Sequence, residues 1–176
     1  ELDPRLKTKL IIQLAKILQC FYKNGFVYTD LKVENILYRC EGGKINFLLG
    51  DIGSFEKLGA VKRGGDMSYT FVPPEFAYGD VKDKKASYGG LLYVFGATIA
   101  DIYKLADDLL YSDNSGRDYT KEDILKKQLP LFRKKIKAST IPKEIKEIII
   151  AFTSDSSKKR EKYGFDYVFE MLCPNR

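Results

Sequence analysis

Residues 86–100 (Ala86 to Ala100) contain no charged side chain, in a chain of 176 residues of which 31% are charged. The run is too long for an ordinary strand and shorter than the roughly 20 residues needed to cross a bilayer. A run of this length and apolarity predicts a buried helix at about 90–105, around which the other elements pack. The first element is a second helix. Asp3 can cap it, Pro4 suits its first turn, and Leu6, Leu10, Ile11, Leu14, Ile17, Leu18 and Phe21 recur at helical spacing. Asn24-Gly25 ends it.

Beyond that helix comes a short apolar stretch, Phe26 to Tyr28, and then a polar loop, Thr29 to Asn35. Ile36-Leu37-Tyr38 and Ile45 to Leu49 read as two strands joined by a tight turn at Gly42-Gly43. Gly50 to Gly65 reads as a glycine-rich loop, and Gly79 to Lys85 as a charged one. Val72-Pro73-Pro74-Glu75 marks a rigid turn into a short helix. Thr120-Lys121-Glu122-Asp123 opens another helix with an imperfect capping box. Pro142 opens a further helix, with Ile145, Ile148, Ile149 and Phe152 on one face. A last helix covers about 163–172, with Phe165, Val168, Phe169 and Leu172 on one side. The expected fold class is therefore mainly α with one small β-hairpin, in a single domain over 1–176.

The chain has no histidine. That excludes a Ser-His-Asp or Cys-His triad, a histidine metal ligand and an imidazole proton shuttle. Cys20, Cys40 and Cys173 stand far apart with no C-x-x-C pair, so free thiols are expected rather than a zinc or redox site. Net charge is +6. Its densest part, 121–137, carries Lys121, Lys126, Lys127, Arg133, Lys134, Lys135 and Lys137 against Glu122 and Asp123. A solvated helix face is the expected role, with a dock for an acidic partner or nucleic acid as the alternative. No nucleic-acid motif accompanies the charge, so neither a nucleic-acid nor a membrane partner is expected. No targeting segment is apparent, which leaves the compartment open. Glu1 in place of a start methionine suggests a piece of a longer chain.

The segment Tyr28-Thr29-Asp30-Leu31-Lys32-Val33-Glu34-Asn35-Ile36-Leu37 concentrates the chemistry. It sets an acid, a base and an amide in one loop, and Asp51-Ile52-Gly53 follows 21 residues after Asp30. The hairpin folds the chain back and returns Asp51 toward Asp30, Lys32 and Asn35. Such a group suits phosphoryl transfer. Asn35 and Asp51 offer hard oxygen ligands for Mg²⁺. Lys32 offers a positive charge for a transferring phosphate. Asp30 remains to accept a hydroxyl proton. Gly53 is expected to let the backbone turn after the metal ligand. Taken singly these are ordinary solvated loop residues; their joint register argues for a site.

This segment resembles the catalytic loop of protein kinases, H-R-D-L-K-x-x-N, with Tyr28 and Thr29 in place of His and Arg. Asp51-Ile52-Gly53 resembles their D-F-G, and Pro73-Pro74-Glu75 their A-P-E, 24 residues on. Ser68-Tyr69-Thr70-Phe71 is similar to the T-x-x-Y before A-P-E, with Ser68 at the threonine position. Tyr93-Val94-Phe95-Gly96 is similar to the W-S-L-G of the helix at the centre of the large lobe. Arg160 falls where the family has the arginine that pairs with the A-P-E glutamate, which predicts a buried Glu75–Arg160 ion pair. Ser68 is expected either to hydrogen-bond Asp30 and Lys32 or to lie in a surface loop.

The resemblance spans essentially the whole chain and implies a protein-kinase-like large lobe (α+β once a small lobe is counted). Neither a G-x-G-x-x-G nor a V-A-I-K-like segment occurs, so the strand-rich small lobe is expected outside this chain. The implied activity is that of a divergent Ser/Thr protein kinase using ATP and Mg²⁺, with a protein substrate and the missing lobe as partners. The isolated chain is expected to be inactive. The alternative is a catalytically impaired pseudokinase or decoy that binds proteins. The missing small lobe motivates it, together with two positions. Thr29 removes the arginine that reads activation-loop phosphorylation. Leu91 stands where the family usually has an aspartate that holds the catalytic-loop backbone, so that loop must be held by other contacts.

Overall fold

The computed structural model describes residues 2–63, 71–77, 83–109 and 119–174. Helix α1 (Pro4–Lys23) opens on Asp3, whose carboxylate accepts from the backbone N–H groups of Arg5 (2.7 Å) and Leu6 (3.2 Å). Those bonds satisfy two of the donors that a helix N-terminus leaves open. Leu10, Ile11, Leu14, Ala15 and Leu18 form its buried stripe.

Strand β1 (Phe26–Tyr28) follows. Then β2 (Ile36–Glu41) and β3 (Lys44–Leu49) make the expected hairpin, in register from Ile36 opposite Leu49 to Glu41 opposite Lys44. Gly42 (φ 54°) and Gly43 (φ 75°) take the left-handed turn that two-residue hairpins require. One hairpin face turns Phe47 into the core, and the Phe47 amide donates to Gln13 Oε1 of α1 at 2.9 Å. The other face presents Leu37 and Leu48, directly opposed and exposed.

The stretch 50–65 is not all loop. It holds β4 (Phe55–Lys57), antiparallel to β1, and β5 (Val61–Arg63). Strand β5 pairs with β6 (Asp83–Lys85), inside the segment expected as a charged loop. Each of these strands is three residues long, too short for an alternating pattern, and each exists because of a partner distant in sequence.

Helix α2 (Tyr88–Ile102) is the predicted apolar helix, with every residue from Gly89 to Ala100 buried. Gly96 lets it approach the helix over 143–152, since a Cβ there would lie 2.7 Å from Phe152 Cβ. Ring contacts among Phe95, Phe152 and Phe165 (centroids 5.3–6.5 Å apart) close the core.

The next helix runs as α3 (Lys121–Asp123), a π segment (Ile124–Gln128) and α4 (Leu129–Ala138). Its capping box is complete with aspartate in the acidic role. Thr120 Oγ1 accepts from the Asp123 amide, and Asp123 Oδ2 accepts from the Thr120 amide. Pro130 can neither donate to the turn before it nor fit against that turn's carbonyl, which accounts for the wider π turn. Helices α5 (Lys143–Phe152), α6 (Ser157–Glu161) and α7 (Gly164–Leu172) complete the described chain.

In the basic stretch, Lys126 pairs with Glu122 (2.6 Å), Lys127 with Asp123 (2.8 Å) and Lys135 with Asp107 (3.3 Å). The three cysteines are free thiols. Among the described residues no helix is long and apolar enough to cross a membrane.

Candidate functional site

The polar loop after β1 carries Asp30 and Lys32, and a 3₁₀ turn (Val33–Asn35) closes it, the Asn35 amide donating to the Lys32 carbonyl at 3.1 Å. Lys32 Nζ lies 2.7 Å from Asp30 Oδ2. Asn35 Nδ2 donates to Asp30 Oδ2 (2.9 Å) and to the Asp30 carbonyl (2.8 Å). Lys32 and Asn35 thus both engage the same carboxylate oxygen of Asp30. The Asp30 hydrogen bond, ahead of any effect of burial, raises the Lys32 ammonium above its ordinary pKa, so Lys32 stays charged.

The hairpin brings Asp51 alongside. The Gly50 amide donates to the Asn35 carbonyl at 2.8 Å, one step past the Ile36–Leu49 pair. Asp51 is exposed and takes a left-handed backbone (φ 44°, ψ 68°), uncommon for a residue with a side chain. Ser54 Oγ donates to its Oδ2 at 2.6 Å.

The left-handed residue at this turn is Asp51, while Gly53 lies in a 3₁₀ turn (Ile52–Ser54) and is absent from the positive-φ residues. A Cβ at Gly53 would make only an ordinary contact, 3.4 Å from Asp51 Oδ1.

Three contacts hold this loop while Leu91, 3% exposed, contributes an apolar side chain. Tyr28 OH donates to the Gly50 carbonyl at 2.8 Å. Burial first, then the nearby Asp51 and Asp30 charges, push the Tyr28 phenol up to about 12, so it remains a neutral donor. The Thr29 amide and hydroxyl both donate to the Ser54 carbonyl at 3.0 Å. Thr98 Oγ1, fully buried on α2, lies 3.1 Å from the Leu31 carbonyl oxygen and 2.8 Å from the Val94 carbonyl oxygen and shares its single proton between them. The sequence reading missed Thr98 and Ser54. A signal for Thr98 existed: it is the one threonine or serine within the apolar run of α2.

Glu75 and Arg160 meet away from this cluster. Glu75 lies in a 3₁₀ turn (Pro74–Phe76). Arg160 is fully buried; it donates to Glu75 Oε1 through Nη2, to the Gly89 carbonyl through Nε (2.7 Å) and to the Ser154 carbonyl through Nη1 (2.6 Å). Burial raises the Glu75 carboxyl, against the pull of the guanidinium, and lowers Arg160. The pair ties the segment before α2 to α6. Ser68, with Tyr69 and Thr70, lies outside the described residues.

No family model matches the chain, and no curated protein matches it. Among solved structures, the kinase PK-1 of the Cydia pomonella granulovirus aligns with a TM-score of 0.65 at 18% identity. The alignment covers 98% of this chain and 60% of that kinase. The fold is therefore protein-kinase-like, and the chain spans 60% of the length of PK-1. The likeness is one of fold.

Proposed function

We propose that the chain is the large lobe of a divergent Ser/Thr protein kinase, which transfers the γ-phosphoryl group of ATP to a protein hydroxyl when joined to a small lobe. The observation that carries this reading is the Asp30–Lys32–Asn35 cluster and its backbone bond to Gly50, which sets Asp51 beside it.

In this reading Asp30, held by Asn35 Nδ2, orients the substrate hydroxyl and takes its proton. Lys32 lies within reach of the same oxygen and offsets negative charge that develops on the transferring group. Asn35 Oδ1 and the Asp51 carboxylate are hard oxygen donors, a fit for Mg²⁺, which commonly takes one or two protein oxygens and leaves its other positions to water and phosphate. Bound there, Mg²⁺ would neutralise phosphate oxygens. Leu37 and Leu48, exposed on the hairpin face next to Asn35, offer an apolar seat for the nucleotide base.

The test uses the full-length protein with radiolabelled ATP, Mg²⁺ and a generic protein acceptor. Asp30→Asn and Asp51→Asn should each lower transfer at least about 100-fold while leaving the fold intact. Unchanged turnover in either variant would overturn the assignment.

The second reading, a catalytically impaired protein-binding module, is favoured by Leu91 at the position of the family's loop-holding acid. It predicts no transfer from the unmodified protein and no Mg·ATP-dependent thermal shift.

A further inference from the structure

A cavity of about 520 Å³ opens between α4, α5, α6 and α7, formed by residues with no part in the Asp30 cluster. That volume lies within the usual range for a ligand site. Its floor is apolar, from Ile150 and Ala151, and one wall is aromatic, with the Tyr163 and Tyr167 rings 4.8 Å apart.

The charges around it are unevenly committed. Asp155 is taken by Lys159 at 3.0 Å, and Glu147 by Lys143 at 3.7 Å. Lys159 first, then Arg133 at longer range, hold the Asp155 carboxyl below its usual range. Arg133 and Lys162 remain. Half-buried Arg133 has an Nε that is buried without a hydrogen-bond partner. Lys162 is exposed, with no ion-pair partner among the described residues. They come from separate elements, α4 and the end of α6, and line one opening. The Arg133 guanidinium and the Lys162 ammonium, neither with an ion-pair partner among the described residues, line the opening together with two tyrosines and the apolar Ile150 and Ala151, a surface complementary to a carboxylate beside an aromatic or aliphatic group.

We propose that this cavity docks an acidic segment of a partner protein, a carboxylate engaging Arg133 and Lys162 while a neighbouring apolar residue packs on Tyr163 and Tyr167. The proposal is independent of the phosphotransfer reading, because none of these residues belongs to that machinery.

The test is fluorescence anisotropy with the full-length protein and a fluorescein-labelled peptide of alternating glutamate and tyrosine. Binding should be saturable, and a lysine–tyrosine peptide of the same length should not bind. Lys162→Glu changes an exposed side chain and should keep the melting temperature while weakening binding about tenfold. Arg133→Gln should weaken it at least as much, and Tyr163→Ala should remove the preference over an all-glutamate peptide. The proposal is overturned if the glutamate–tyrosine peptide fails to bind, or if folded Lys162→Glu binds it as tightly as the unmodified protein. It is equally overturned if a single-stranded oligonucleotide competes as well as the peptide, since the surface would then be a general polyanion binder.

Discussion

Replacing Thr98 by valine removes one hydroxyl from the interior and keeps the shape of the side chain. Thr98 is fully buried, and its two acceptors differ in what they lose. Val94 lies inside α2 and keeps the ordinary backbone bond of a helix. The Leu31 carbonyl lies in the loop between Asp30 and Lys32, beside a 1%-exposed Leu31 side chain, and loses the Thr98 donor in a dry setting. A buried acceptor left without its donor costs about 1–3 kcal/mol. For a domain of this size that is a fall in Tm of roughly 2–12 °C. Thr98→Ser keeps the hydroxyl and gives up one methyl group, at about 1 kcal/mol. The assay is a thermal melt with amide hydrogen exchange, followed at Asn35, whose amide donates to the Lys32 carbonyl. The valine variant should exchange faster at Asn35, and the serine variant should stay close to the unmodified protein. Exchange at Asn35 no faster in the valine variant than in the serine variant would refute the view that Thr98 anchors the loop.

Placing an acid on α2 by Leu91→Asp should fail to tighten the loop, because the Thr29 amide already donates to Ser54. It should instead place a carboxylate in apolar packing at a cost of about 3 kcal/mol or more, read as a lower Tm without gained activity. Gly89→Ala should destabilise by about 1–3 kcal/mol in a denaturant titration, since the new Cβ would lie 2.8 Å from Ser157 Cβ, where rotation of the serine gives no relief. Asp123, with hydrogen bonds from Lys127 first and Thr120 second, has its carboxyl lowered from 3.8 to about 2. A depressed carboxyl stabilises fully above its unfolded pKa and loses that contribution as pH falls from about 4 through 2. Asp123→Asn should therefore show a shallower loss of Tm between pH 5 and pH 2 than the unmodified protein.

The sequence carried the elements with strong local signals: α1 with its Asp3 cap, the apolar α2, and the hairpin turning at Gly42-Gly43. The nearness of Asp30, Lys32, Asn35 and Asp51 was legible because a hairpin's register follows from its turn. What was not legible depended on partners far along the chain. Strands β4, β5 and β6 are three residues each, and their charged residues read locally as loop. The bond from Thr98 to Leu31 spans 67 positions, and nothing around either residue points to the other. The left-handed backbone at Asp51 was not legible either, since a residue with a side chain seldom takes it and glycine stands two positions on.

The phenol at Tyr28 has one more consequence. Where an imidazole would gain a charge on moving from neutral to mildly acidic surroundings, this group does not ionise until about pH 12. Thr29, Ser54 and Thr98, which hold the rest of the loop, carry no ionisable proton in that range either. The clamp around Asp30 should therefore keep its shape through acidification from neutrality to about pH 5, leaving any response to pH in that interval to the groups that do chemistry.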